Sequence, residues 1–225
     1  MKKRRTAIAF KRHGRYAAVN HMAREGLPYV IIPLLLAAVM LVLGYWPVAL
    51  VFFALAAFMA YFFRDPKRSS PEEENVVVSP ADGKVTRVLR LAPEDPQSGT
   101  VVSIFLSPLD VHINRAPIAG KISEVNYTHG KFLMATKEEA SLVNEQNALT
   151  IEGARVTVVC KQIAGVLARR IVCWKQKGDN LALGERFGLI KFSSRTDLIL
   201  PAEVEVLVRV GQRVRGGTTI IGRVR

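Results

Sequence analysis

Cysteine is scarce: the 225 residues include two, Cys160 and Cys173. They form no CxxC or metal-ligand spacing, which excludes a disulfide framework and a zinc module, and no metal site is expected. Both sit in apolar, strand-like runs and read as buried, reduced thiols. Acidic residues are also few, 19 against 32 lysines and arginines, for a formal net charge of +13. The shortage is sharpest at the start, where residues 1–25 carry Lys2, Lys3, Arg4, Arg5, Lys11, Arg12, Arg15 and Arg24 against one acid, Glu25. No zinc-finger spacing or aromatic RNA-binding motif accompanies this charge, so nucleic acid is not an expected partner. A basic run beside an apolar segment is instead a membrane-topology signal. The longest absence follows it: from Gly26 to Phe63 there is no charged residue at all.

As one straight helix that stretch would run to about 57 Å at 1.5 Å per residue, against a hydrocarbon core of about 30 Å. The chain must turn, and Gly44-Tyr45-Trp46-Pro47 is the place, a Gly and a Pro framing two interface-seeking aromatics. This leaves Tyr29–Leu43 and Val48–Phe63, each short of the roughly 20 residues of a full span. The expectation is a tight transmembrane helical hairpin, with a shallow re-entrant pair as the alternative. A signal peptide does not fit, because the apolar run is too long and begins too late. Arg64, Lys67 and Arg68 follow the run, and positive charge on both flanks predicts both ends in the cytoplasm, at the inner membrane.

The expected organisation is a basic cytoplasmic tail (1–25), the membrane hairpin (26–63), a polar two-proline linker (64–75) and a catalytic domain (76–225), with roughly 160 residues beyond the apolar run, enough for one core. After the linker the pattern changes to period two. Short β-branched runs recur at Asn75–Val78, Lys84–Leu91, Thr100–Leu106, Gly120–Tyr127, Leu149–Glu152, Ala154–Ile163, Arg169–Lys175, Phe187–Phe192, Glu203–Val210 and Thr218–Val224. Turn signals such as Ala81-Asp82-Gly83 and Gly216-Gly217 separate them. The predicted fold class is mainly β, a compact sandwich or barrel with lipoyl-like elements. One helical insert is expected at Thr136–Asn144. Asp82-Gly83-Lys84 is too short to specify a lipoyl or biotinyl attachment turn.

Four constellations could carry chemistry. Asp82, in Ser79-Pro80-Ala81-Asp82-Gly83, caps a turn or orients a base. Asp110, His112, Asn114 and Arg115 lie between Pro108 and Pro117, a polar cluster unusual to bury for packing alone. There His112 can titrate near neutrality and Arg115 can fork a carboxylate or phosphate. His129, in His129-Gly130-Lys131, is a reserve base on a loop. Ser193-Ser194 follows a strand and reads as a turn or as something more.

Taken together, FFRDPKR, SPADGKV, FLSPLDVHINRAPIAG, GKFLMATKEEASLVNEQN, QIAGVLARRIVCW, GERFGLIKFSSRTDLILP and GQRVRGGTTIIG, in one order, resemble the short form of the phosphatidylserine decarboxylase family. The resemblance implies a proenzyme that breaks the bond before a serine, here Ser193-Ser194, into a large chain 1–193 and a small chain 194–225 that stay together. Ser194 would become a covalent pyruvoyl cofactor. Two departures stand out: the family usually has Gly where Ser193 stands, and longer members have a second histidine where Arg115 stands.

The implied chemistry begins with Ser194 attacking the Ser193 carbonyl, with His112 as base and Asp82 fixing its tautomer. Elimination and hydrolysis then leave the pyruvoyl group, which takes the amine of phosphatidylserine and accepts the electrons left by departing carbon dioxide, giving phosphatidylethanolamine. Arg115, Asn114 or Lys131 would hold the lipid headgroup. Homo-oligomers are left open. The rivals are a membrane-anchored binding module that stays uncut, and a pyruvoyl decarboxylase of another aminolipid.

Overall fold

Two apolar helices joined by a three-residue turn stand apart from the rest of the chain. The computed structural model describes residues 18–19, 22–95, 97–134, 139–166, 170–192 and 194–225. A short ribbon, β1 (Ala18–Val19) and β2 (Met22–Ala23), and a 3-10 turn at Arg24–Gly26 lead into α1 (Leu27–Val42) and then α2 (Trp46–Phe62). Gly44 turns the chain between the helices at φ 82°, a conformation that favours glycine. The buried positions of the pair are small or apolar: Pro33 and Ala37 on α1, Ala49, Ala56 and Phe62 on α2. Alanines let the helix backbones approach closely. Outward-facing residues are large and bare, among them Leu35, Val42, Trp46 and Val51, each more than 60% exposed. Arg24–Val42 is long and apolar enough to cross a membrane.

The two ends of this hairpin are tied together. Ala23 donates its backbone N–H to the Phe63 carbonyl at 2.9 Å, and Met22 bridges to Arg64. Gly26 permits the contact, since a Cβ there would lie 2.5 Å from the Phe63 side chain.

The rest is mainly β: β3 (Val76–Val78), β4 (Gly83–Arg90), β5 (Thr100–Leu106), β6 (Ile113–Arg115), β7 (Gly120–Thr128), β8 (Gln146–Glu152), β9 (Thr157–Ile163), β10 (Arg170–Cys173), β11 (Asn180–Leu181), β12 (Arg186–Lys191), β13 (Ser194–Leu200), β14 (Val204–Val206), β15 (Arg213–Val214) and β16 (Ile220–Val224). An eight-stranded antiparallel sheet, in the order β11-β7-β8-β9-β13-β5-β4-β15, curls into a half-barrel flanked by three-stranded sheets β10-β12-β6 and β14-β16-β3. The core fills the curl with alternate strand residues such as Val102, Ile104, Leu106, Leu149, Ile151, Leu198 and Leu200. A second apolar cluster joins Phe62 and Phe63 at the foot of α2 to Val111, Ile113, Val172, Trp174 and Leu189. Cys160 and Cys173 are free and buried, and burial pushes both thiols up.

Three sequence expectations change in detail. Of the expected helical insert, the described residues hold one turn, α3 (Ala140–Val143), and its first residues, 136–138, lie outside them. β13 is a strand where a turn and polar tract had no strand pattern, because its polar side chains are paired in the interior: Arg195 with Asp197 on the same strand, and Thr196 with Asn114 of β6 in the neighbouring sheet. The segment 64–75, with the composition of a linker, is laid along the domain. Asp65 is buried between Arg115 and Arg186, Arg68 binds Asp82, and Ser70 donates to the Leu183 carbonyl.

Candidate active site

Strand β13 begins at Ser194, and its first pairing partner is Leu106, the last residue of β5. Chain continuity therefore puts the start of the loop after β5 beside Ser194, and further along that loop the His112 carbonyl accepts the Ile190 N–H on β12, four residues before Ser194. That loop is internally braced: the Ser107 backbone N–H donates to Asp110 Oδ2 at 2.9 Å, and the Asp110 backbone carbonyl contacts His112 Nδ1 at 2.9 Å. A carbonyl can only accept, so Nδ1 carries the proton and Nε2 presents its lone pair. Nε2 is buried and has no hydrogen-bond partner among the described residues. Ser194 Oγ is likewise buried without a partner among those residues. One orphan acceptor and one orphan hydroxyl donor in the same neighbourhood are costly as structure and are what a base and a latent nucleophile look like.

Burial lowers the His112 pKa to about 4, outweighing the opposing influence of the Asp110 carbonyl and the Asp110 and Asp82 charges, while Arg64 adds to the lowering. At neutral pH the imidazole is uncharged and able to take a proton. Its ring is covered by Phe62, with centroids 4.2 Å apart, and Phe62 in turn stacks on Phe192 at 4.6 Å. Phe192 sits in the two-residue crossing from β12 to β13, between two different sheets, and takes φ 65°. Positive φ at a bulky non-glycine residue is rare and stores strain, here one residue from the expected scissile bond. Ser193 itself lies outside the described residues.

Other sequence candidates have different partners. Asp82 does not hydrogen-bond His112; both carboxylate oxygens take Arg68 at 2.6 Å, and Oδ1 also accepts the Gly216 N–H at 2.8 Å. The group that fixes the imidazole tautomer is the Asp110 carbonyl, and Asp82 acts on His112 only through its charge. Arg115, a headgroup candidate, is buried and donates to Asp65 at 3.1 Å, to Pro66 O and to Gly184 O. Burial and the nearby Arg186 lower its pKa. Asn114, the second headgroup candidate, is inside an amide network, donating to Thr196 Oγ1 at 3.0 Å and accepting from Gln162 Nε2 at 2.9 Å. Lys131, the third, is exposed on the loop after β7. His129, the reserve base, is 74% exposed and lies 3.8 Å from Glu145. The sequence reading missed Phe62 and Phe192, because aromatics at the end of an apolar run look like membrane helix and aromatics in a strand look like core.

Comparison with known proteins agrees with the motif order. The family model described as phosphatidylserine decarboxylase matches residues 55–222. A phosphatidylserine decarboxylase proenzyme of Solibacter usitatus is 54% identical over 170 residues, covering 75% of this chain and 80% of that protein. One of Symbiobacterium thermophilum is 48% identical over 209 residues, covering 90% of this chain and 95% of the relative. One of Geobacter metallireducens is 43% identical over 211 residues, with 89% and 95% covered.

Proposed function

The chain belongs to the phosphatidylserine decarboxylase family, and from that premise we propose that it converts phosphatidylserine to phosphatidylethanolamine with a pyruvoyl group made from its own Ser194. The observation that carries this reading is a pair of buried atoms without a partner among the described residues, His112 Nε2 in the loop after β5 and Ser194 Oγ at the start of β13.

In self-cleavage, His112 Nε2 takes the Ser194 Oγ proton and Oγ attacks the carbonyl carbon of Ser193. The amide C–N bond breaks, the proton passes to the released nitrogen, and an ester joins the two serines. Loss of the Ser194 Cα proton expels the Ser193 carboxylate and leaves a dehydroalanine. One water then replaces its nitrogen, which leaves as ammonia. The large chain 1–193 keeps hold of the small chain 194–225 because β13 is hydrogen-bonded along its length to β9 and β5.

The pyruvoyl group supplies a ketone beside an amide, an electron sink for the pair left when carbon dioxide departs. His112 Nε2, uncharged at rest, takes the proton that the substrate ammonium sheds on joining the ketone and returns it to the product carbon. Phe62 and Phe192 keep bulk water from that nitrogen.

The hairpin supports a lipid substrate. At 1.5 Å per residue its helices are each about 24 Å long, near the roughly 30 Å of a hydrocarbon core, with Tyr45 and Trp46 exposed at the tip. Its basic flanks favour a cytoplasmic catalytic domain at the inner membrane. There the excess positive charge favours anionic phosphatidylserine over its zwitterionic product.

Intact-mass spectrometry of the purified protein tests the cofactor. The expected result is two chains, the smaller beginning at position 194 and lighter by one ammonia than the same chain with a free serine terminus. A single uncut chain after long incubation overturns the reading. Assays on phosphatidylserine, free serine and other aminolipids test the headgroup.

A further inference from the structure

We propose that the cavity between the foot of the hairpin and strands β10 and β12 seats the phosphodiester of the lipid substrate, with Lys191 and Arg170 as its anion ligands. The inference rests on the lipid-decarboxylase reading and names the headgroup contacts that reading lacks, now that Arg115 and Asn114 are committed elsewhere.

The cavity measures about 510 Å³, within the roughly 300–1,000 Å³ usual for small-molecule sites. Its walls divide by chemistry. Ile32 of α1 and Leu55 and Met59 of α2 form an apolar side continuous with the bare face of the hairpin, while Arg24, Arg170 and Lys191 bring positive charge at the level where the helices meet the domain. One acid, Glu25, also lines the cavity and is held by Trp174 Nε1 at 2.7 Å, so cations outnumber it three to one. A lipid presents the complementary division, apolar chains joined to a phosphate. Free phosphate has no use for the apolar wall.

Lys191 is the strongest element. It is 8% exposed, and its Nζ stands over the rings of Tyr29 at 5.0 Å and Phe63 at 6.0 Å. Among the described residues no carboxylate pairs with it. Taking an ammonium largely out of water without a counter-ion is expensive, and two aromatic faces return only part of that cost. An anion entering the cavity completes the site. Lys191 ends β12 three residues before Ser194, so their Cα atoms are at most about 11 Å apart, and a phosphate held there leaves the headgroup amine facing the reacting end of the small chain.

The test uses the full-length, self-processed protein in detergent micelles. Phosphatidylglycerol carries the phosphodiester but no amine or carboxylate and is not decarboxylated, diacylglycerol carries no phosphate, and inorganic phosphate carries no chains. Binding is read by native mass spectrometry, and KM and kcat for phosphatidylserine are measured in parallel. Phosphatidylglycerol is expected to bind, diacylglycerol and inorganic phosphate much more weakly. Lys191→Met should weaken phosphatidylglycerol binding and raise KM about 10-fold with little change in kcat, and Lys191→Arg should restore most of both. If Lys191→Met fails to self-process, Arg170→Gln decides, because its side chain is exposed and lies on β10 rather than on β12, which leads into the cut; a several-fold loss of phosphatidylglycerol binding is expected. Unchanged phosphatidylglycerol binding in both variants overturns the proposal. So does a KM effect on phosphatidylserine without loss of phosphatidylglycerol, which would mean that these cations read the serine carboxylate, and so does inorganic phosphate competing as well as the lipid. Lys191-dependent lipid binding in a protein with no decarboxylase activity would instead leave this site standing and remove the functional reading above.

Discussion

At the scale of the residue, everything turns on one neutral imidazole. His112→Ala should slow self-cleavage by at least about 100-fold, the usual loss when a general base is removed, and intact mass followed over time measures it. The pH dependence is equally specific. Because burial holds the His112 pKa near 4, processing should be level from about pH 6 to 8 and fall only as pH approaches 4. An exposed histidine would show the fall near 6.5. Stability follows the same shift: between pH 6.5 and 4 the unfolded chain binds a proton that the folded chain refuses. The contribution of neutral His112 is therefore complete above pH 6.5 and lost as pH falls toward 4, by up to on the order of 3 kcal/mol. Thermal unfolding of uncut Ser194→Ala, with and without His112→Gln, isolates that slope; the added Gln variant should lose most of it. Motif order and residue type singled out Ser194 and His112 in the sequence, and among the described residues each has one buried polar atom without a partner. The tautomer-setting group was not legible in the sequence, because a backbone carbonyl leaves no residue signature, and Asp82 looked like the partner until Arg68 from the preceding segment took it.

At the scale of the element, the informative cases are the ones that pattern reading handled least well. Strands with one buried face were visible: β8 alternates throughout, and β4 and β7 alternate in part, each with a register shift against its neighbour. β13 was not, since a central strand flanked on both sides has no solvent face to impose period two, and this one satisfies Arg195, Thr196 and Asp197 internally. The segment after α2 hid a different way. Its composition is that of a linker, yet Asp65 is 1% exposed between two guanidinium groups. Asp65→Ala strands the buried Arg115 charge and should cost about 3–5 kcal/mol, visible as a large drop in thermal unfolding temperature. Phe62→Ala removes the ring that covers His112 and stacks on Phe192. A loss of about 3–5 kcal/mol is expected for a buried aromatic, together with a rise of the His112 pKa toward 6.5 as water reaches the ring. The shift reads directly in the pH profile of processing, and an unmoved profile would mean that Phe62 contributes packing alone.

At the scale of the whole molecule, the hairpin and the domain are packed as one unit, because Phe62 at the foot of α2 covers part of the His112 ring. Ala23 and Phe63 are hydrogen-bonded across the hairpin ends, so the chain enters and leaves the apolar pair at one level, and the tip at Tyr45 and Trp46 is the far point. If the pair crosses the bilayer, the tip and the domain lie on opposite sides, a geometry that single cysteines can read. The native thiols do not interfere, since Cys160 and Cys173 are buried and held protonated. Tyr45→Cys should react with a membrane-impermeant thiol reagent added outside intact spheroplasts, whereas Glu74→Cys, exposed on the segment after the hairpin, should react only after lysis. Reaction of both from the outside would place the domain on the opposite face. Reaction of neither until lysis would mean a hairpin that enters one leaflet and returns, with the tip short of the far surface. The packing of the foot of the hairpin on the domain, through Phe62 and Phe63, is the same in either case.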